Sequence, residues 1–166
     1  GIRDLVRSRG LGDVYKRQEE HLERSPGDSE ARGRLSQIWL SKGSIDSSKA
    51  ILDGAPDECW DSSTMNVMKG RLSLVQSEEH RDETGKLDSM AVIDSLVSFD
   101  RAIEIDRESG LAWLGRARAL RYQGALDEAE VALVRARRLI PQHPSIPHES
   151  EAQRGDRSPL RWRAER

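Results

Sequence analysis

The sequence contains a single cysteine, Cys59, among its 166 residues. One thiol excludes an internal disulfide and any zinc site built from several cysteines, and it favours a reducing compartment such as the cytoplasm. No stretch reaches the 18 consecutive apolar residues that indicate a membrane-spanning helix. The chain starts at Gly1 with charged residues close behind it, so no secretory signal is readable.

Apolar residues are also scarce, since hydrophobic residues make up 36% of the chain and charged residues 34%. This composition is low in apolar residues for a single packed globule. It is normal for a thin helical array in which every helix keeps one face in water. The balance therefore favours repeated helical units over one large core.

Recognisable catalytic motifs are missing as well. The segment HRDETGKL, residues 80–87, begins like a kinase catalytic loop, but Leu87 stands where a metal-binding asparagine is required. It also fails as a phosphate-binding loop, because His80 occupies the first glycine position and Leu87 replaces the serine or threonine. We interpret this segment as a solvated loop without chemistry.

The histidines do not form a recognisable metal site. They are scattered along the chain and lack the cysteine or carboxylate partners that such sites need; they are His21, His80, His143 and His148. No G-x-S-x-G or H-E-x-x-H motif is present. We therefore expect neither an enzyme nor a bound metal or cofactor in this stretch.

The clearest pattern in the chain lies between Gly110 and Pro144. Apolar or small residues recur at helical spacing on both sides of Gly124; they are Trp113, Leu114, Ala117 and Leu120 before it, and Leu126, Ala129, Leu133, Ala136 and Leu139 after it. Pro141 ends the second run. Two amphipathic helices joined at a glycine predict an antiparallel helical hairpin.

This hairpin resembles a tetratricopeptide repeat, whose 34-residue pattern is W-x2-L-G-x2-Y…A-x3-F…P. The positions that carry the resemblance are Trp113, Ala117, Leu120, Ala129, Leu133 and Pro141. Arg116 departs from the pattern where the family usually has leucine. An unrelated helical hairpin is the alternative. The resemblance implies an all-α fold in which antiparallel hairpins stack as a solenoid.

Two further hairpins are expected upstream. Gly43 marks the bend of one, and it lies 81 residues before Gly124, about 13 more than two 34-residue periods. A middle repeat fits between them, with Gly70 at its small-residue position and with Phe99 and Ala102 repeating the spacing of the third repeat. We place the excess length in a mobile surface loop over residues 77–91. The sequence thus predicts repeats over 29–62, 63–109 and 110–144, preceded by the end of a truncated repeat over 19–28.

Both ends of the chain lack this period. Residues 13–18, DVYKRQ, are one reading frame of GAT GTG TAT AAG AGA CAG, which resembles the end of transposase-based sequencing adapters. We interpret residues 1–18 as translated adapter joined to a metagenomic gene fragment. The alternative is a basic nucleic-acid-binding arm with the cations Arg3, Arg7, Arg9, Lys16 and Arg17. Residues 145–166 are expected to form an irregular tail with little stable packing.

Binding is the function that this organisation favours. The resemblance implies a concave groove lined by the first helix of each repeat, and the residues expected to line it are Gln37, Leu40, Val67, Arg71, Leu74, Leu111, Leu114, Arg118 and Arg121. Arginines among apolar neighbours suit an extended acidic peptide, because guanidinium groups pair carboxylates bidentately. The alternative is that Arg118 and Arg121 are solvated or paired within the array.

The expected partner is therefore a protein or peptide with acidic character, and not a nucleic acid. A second hypothesis is that these repeats are the scaffold of a larger enzyme, for example a transferase, whose catalytic domain is missing from the fragment. A full-length reading frame with a catalytic domain beyond Arg166 would favour that second hypothesis.

Overall fold

A computed structural model describes residues 15–146 of the chain, and all regular secondary structure in this part is helical. Residues 15–24 are helical and are called α1 here. The elements that follow are α2 (Ser29–Ser41), α3 (Ile45–Asp53), a 3₁₀ turn (Asp57–Asp61), α4 (Ser63–Thr84), α5 (Ser89–Ile105), α6 (Gly110–Gln123) and α7 (Leu126–Leu139). No strand occurs within residues 15–146, so the all-α prediction is confirmed for that part.

The helices are paired along the chain by short turns. α2 packs on α3, α4 on α5 and α6 on α7, and each pair falls within one of the three predicted repeats. A glycine with positive φ lies in each turn: Gly43 at 77°, Gly85 at 79° and Gly124 at 82°. This left-handed conformation ends a helix cheaply only for residues without a Cβ. The pairs also contact each other, since α4 packs on both α2 and α6.

Small residues allow the helices of each pair to approach closely. In the first pair, the Ser36 and Ser48 hydroxyls are both buried and lie 2.8 Å apart. In the second, the fully buried Phe99 ring lies against Gly70, where an added Cβ would be 2.9 Å from it. In the third, Ala117 and Ala129 lie in one apolar cluster with Leu133. Most predicted core positions of the third repeat are thus buried, whereas Trp113 and Leu139 are half-buried and Leu126 is exposed.

The structure corrects the prediction of a surface loop over residues 77–91. Residues 77–84 continue α4 and residues 89–91 begin α5, which leaves only four residues between the two helices. Asp88 starts α5 by accepting hydrogen bonds from the backbone N–H groups of Met90 and Ala91. Ser77 is fully buried, and its hydroxyl donates to the Asp88 carbonyl. The excess length therefore lengthens both helices of the hairpin.

The structure also revises what was expected near both ends of the chain. Tyr15 is buried and stacks on Trp39 with ring centroids 5.5 Å apart, so residues 15–18 belong to a packed helix. Ile146 is buried against the cluster formed by α6 and α7, although it was assigned to an irregular tail. Residues 1–14 and 147–166 lie outside the described part. The adapter interpretation of residues 1–18 stays a prediction.

Candidate functional site

A polar cluster lies where α4 packs on α6, and it is the candidate site. It consists of Arg71 and Glu78 on α4 and Arg118, Arg121 and Tyr122 on α6; we call it the arginine–glutamate cluster. Residues 71 and 78 are two helical turns apart, and residues 118, 121 and 122 are one turn apart, so each set shares one face of its helix. Because α4 contacts α6, the two faces meet.

The contact that joins the two helices is between Glu78 and Tyr122. The Tyr122 hydroxyl donates a hydrogen bond to the Glu78 Oε1 atom. Burial raises the pKa of Tyr122 well above its ordinary value, and the negative charge of Glu78 raises it further. The nearby Arg118 and Arg121 charges oppose that rise. Tyr122 is therefore a neutral hydrogen-bond donor that holds the carboxylate.

Two guanidinium groups lie beside this contact. Arg118 is only 2% exposed, and the Arg121 guanidinium carbon lies 5.1 Å from the centroid of the Tyr122 ring. Within residues 15–146, Glu78 is the sole buried carboxylate. Buried charges are tolerated in proteins when opposite charges and hydrogen bonds compensate their lost hydration. At the interface of two hairpins, Glu78 accepts the hydrogen bond from Tyr122, and the charges of Arg118 and Arg121 act on the same tyrosine.

α4 reaches Tyr122 because it is long. Glu78 lies in the part of α4 that the sequence had predicted to be a loop. The approach of α4 to α6 is close, since Val67 and Leu74 share an apolar cluster with Ala112 and Ala119. Alanines on α6 leave room for the α4 side chains, and the polar cluster lies next to this apolar contact along both helices.

The structure corrects the groove prediction at four of its five apolar positions, which are buried: Leu40, Val67, Leu74 and Leu114. Leu40 is in the core with Leu52 and Met65, and Leu114 packs in the core of the third hairpin. Val67 and Leu74 lie between α4 and α6. Val67 and Leu74 are buried because the first helices α4 and α6 contact each other there. Leu114 instead fills the space between α6 and α7 of its own hairpin.

The remaining positions of the predicted groove, which are its polar residues and Leu111, divide into two groups. Arg118 is buried, which corrects the expectation that it lies outside the core. Arg71 and Arg121 are half-buried, and the Arg71 Nη1 atom lies 3.9 Å from the Met68 sulfur. Gln37 is exposed on α2, and Leu111 is 37% exposed at the start of α6. These last four residues are accessible to a partner.

Glu78 and Tyr122 were missed in the sequence. The signal for Glu78 was its spacing of seven residues from Arg71, which puts the two charges on one face only if α4 extends that far. The signal for Tyr122 was its place directly after Arg121. Assigning residues 77–91 to a loop hid both.

The histidines within residues 15–146 lie on separate elements: His21 on α1, His80 on α4 and His143 in the turn after α7. Within residues 15–146, no group of three or more His, Cys, Asp or Glu side chains is placed to hold a metal ion. The His21 Nε2 atom lies 2.7 Å from the Asp28 carboxylate, and His143 accepts a hydrogen bond from the Ser145 N–H. His80 is exposed on α4, and His148 lies outside the described residues.

Two tryptophans pack against apolar clusters of the hairpins. Trp113 packs against the third hairpin's core, and its indole N–H donates to the Arg107 carbonyl at 2.9 Å. Trp60 packs against the cluster that contains Cys59 and Met65. Both therefore support packing. Arg116, which departs from the repeat pattern, pairs with Asp100 of α5 at 2.7 Å.

Among the described helices, none combines the length and the apolar composition needed to cross a membrane. Comparison with known proteins adds no family: no protein-family model matches the sequence, and no curated protein matches it. Function must therefore be argued from the residues and their arrangement.

Proposed function

We propose that this chain is a protein-interaction module of tetratricopeptide-like hairpins that binds an acidic, extended peptide. The binding face would run along the first helices of the three hairpins, α2, α4 and α6. It would present Arg71 and Arg121 as the cationic groups, with Gln37 and Leu111 at the accessible rim. The observation that supports the proposal best is the presence of two half-buried arginines beside the contact of α4 with α6.

Half-burial suits this role for a physical reason. A guanidinium group that is partly removed from water interacts more strongly with a carboxylate than an exposed one, since the effective dielectric constant is lower. Fully exposed ion pairs contribute little. Arg71 and Arg121 are half-buried, although the Nε atoms of both and the Nη2 atom of Arg121 are buried. A ligand would therefore pair with the terminal nitrogens of Arg71 and with Nη1 of Arg121.

Catalysis is not part of the proposal. The chemistry on this face consists of guanidinium, amide and apolar groups, which recognise a peptide by charge, hydrogen bonds and contact. A positively charged face also steers acidic ligands toward it and raises their association rate.

A peptide array tests this function directly. Acidic, neutral and basic peptides of equal length would be screened against the full chain, and the tightest acidic peptide would be titrated by fluorescence anisotropy. Arg71→Ala together with Arg121→Ala should weaken its binding by about 1.5–3 kcal/mol, the range for hydrogen bonds to charged groups. Arg101→Ala is the matched control, because Arg101 is exposed on α5 and pairs with Glu104.

Three outcomes would reject the proposal: no preference for acidic peptides, equal binding by the double variant, or an equal loss in the Arg101 control. Arg118→Ala is unsuitable for this test. Arg118 is buried, so its truncation would change folding and binding together.

A further inference from the structure

The buried carboxylate of the arginine–glutamate cluster has the chemistry of the ligand proposed above. Glu78 is 7% exposed, and it projects from α4 toward α6, where Tyr122 holds its Oε1 atom. The guanidinium group of Arg121 lies at the same tyrosine ring. An acidic side chain of this protein thus lies in the neighbourhood to which an acidic peptide would bind.

The Tyr122 hydroxyl fixes where this carboxylate lies. Tyr122 is a neutral donor, and a hydrogen bond from it does not neutralise the charge of a carboxylate. The Arg121 guanidinium lies over the same ring, so Glu78 and Arg121 share one tyrosine. A carboxylate at this place lowers the positive potential that an approaching acidic group experiences, since nearby opposite charges partly cancel at longer range.

We propose that Glu78 is an internal competitor, which reduces the affinity of the arginine face for acidic ligands and so sets the specificity of the module. The inference rests on the proposed function. A peptide carboxylate that approached Arg121 would meet the charge of Glu78 at the same tyrosine. Only ligands with several acidic groups, or with additional contacts along α2 and the start of α6, would then bind well.

The neighbouring residue Glu79 provides a matched control. Glu78 and Glu79 are adjacent on α4 and carry the same charge, but Glu79 is exposed and Glu78 is buried. Glu79 also lies near a different set of charges. Partial burial raises the pKa of Glu79, and the negative charges of Glu83 and Asp46 raise it further. Neutralising either residue changes the net charge equally, so a difference between the two variants isolates the local effect of Glu78.

The test uses the full chain and two fluorescein-labelled probes, a hexaglutamate peptide and a hexaglutamine peptide. Glu78→Gln keeps the acceptor oxygen for Tyr122 and removes the charge. It should bind hexaglutamate about tenfold more tightly than the wild type, which corresponds to about 1.4 kcal/mol. Glu79→Gln should change the affinity much less, and neither variant should gain affinity for hexaglutamine.

Equal affinities of Glu78→Gln and Glu79→Gln for hexaglutamate, or weaker binding by Glu78→Gln, would overturn the internal-competitor proposal. If the wild type still prefers hexaglutamate to hexaglutamine in that case, the proposed function stands and only this inference fails. If neither the wild type nor Glu78→Gln distinguishes the two probes, both proposals fail.

A second variant covers the possibility that Glu78→Gln does not fold. Glu78→Met combined with Tyr122→Phe removes both members of the buried hydrogen bond, and replacing both partners by apolar groups can be nearly neutral for stability. The variant removes the negative charge and keeps Arg118 and Arg121. This double variant should also bind hexaglutamate more tightly than the wild type. Unchanged or weaker binding by a folded double variant would overturn the inference.

Discussion

Gly115 of α6 lies directly against the ring of Phe99 in α5, and a Cβ added at Gly115 would overlap that ring. Phe99 is fully buried, and Gly70 of α4 lies near the same ring. One aromatic side chain therefore fills the space between the first helices of two successive hairpins. This packing explains why glycine occupies two positions inside helices, where it is otherwise unfavourable.

The first prediction follows from this contact. Gly115→Ala should destabilise the chain by about 1–3 kcal/mol through overpacking, although alanine is normally the better helix former. The measurement is urea unfolding followed by circular dichroism. Phe99→Leu provides the space that the new methyl group needs, so Gly115→Ala should cost much less in that background. Equal costs in both backgrounds would show that the two residues are not in contact.

A second prediction concerns the start of the described region. Tyr15 stacks on Trp39, and the Lys42 ammonium group lies 3.6 Å from the centroid of the Tyr15 ring. Tyr15→Ala should therefore lower the free energy of unfolding by about 1–3 kcal/mol, since it removes a stacked ring and a cation–π contact. Lys16→Ala is the control, because Lys16 is exposed. Equal stability of the two variants would show that Tyr15 does not pack against Trp39.

The third prediction reverses what the repeat period had suggested. Deleting residues 77–89 would restore a 34-residue spacing and, for a loop, would cost almost nothing. The structure places buried Ser77 and Glu78 in that segment, together with the αL glycine and the Asp88 cap that connect the helices. We expect the deletion variant to lose most of its cooperative thermal unfolding transition. A sharp transition at the wild-type temperature would show that the segment is dispensable.

A fourth prediction concerns alkaline pH and Tyr122. The unfolded chain ionises Tyr122 near pH 10, whereas the folded chain resists ionisation because burial and Glu78 raise its pKa. The stabilisation that depends on the neutral phenol is therefore complete below about pH 10. It is lost as the pH rises further, at about 1.4 kcal/mol per pH unit.

Tyr122→Phe lacks this titration, so comparison of the two proteins isolates it. The wild type should lose stability relative to Tyr122→Phe between about pH 10 and pH 11.5, as measured by urea unfolding at each pH. Parallel curves for the two proteins would mean that Tyr122 is not held neutral in the folded chain.

Much of the fold could be predicted because the hairpins carry local signals. Gly43 and Gly124 marked two turns, Pro141 marked the end of α7, and the periodic residues of the third hairpin identified its core. Each signal depends on a few neighbouring residues, so no knowledge of distant contacts was needed. The helix-ending glycine at position 85 and the helix-starting Asp88 were also visible, and they argued for long helices with a short turn. A fixed 34-residue repeat length favoured a loop instead. That prediction was wrong because the extra residues extend both helices of the hairpin.

The candidate site was harder to predict because it depends on contacts between hairpins. Helical spacing puts Leu74, Arg71 and Glu78 near one another on α4, but it does not say which of them face α6 and which face water. That depends on how closely the helices approach, which the alanines of α6 determine. Tyr15 was missed for a similar reason, since its partner Trp39 lies on another helix.

Site-specific photo-crosslinking tests the central claim most directly, because it reports which face of the hairpins contacts the peptide. A photoreactive amino acid would replace Gln37, Leu111 or Val131 in separate full-length variants, and each would be irradiated with the acidic peptide selected from the array. Gln37 and Leu111 lie on the proposed binding face, whereas Val131 is 69% exposed on α7, the second helix of the third hairpin. The account predicts crosslinks from positions 37 and 111 and none from position 131. Crosslinks from position 131 alone, with none from positions 37 and 111, would contradict it.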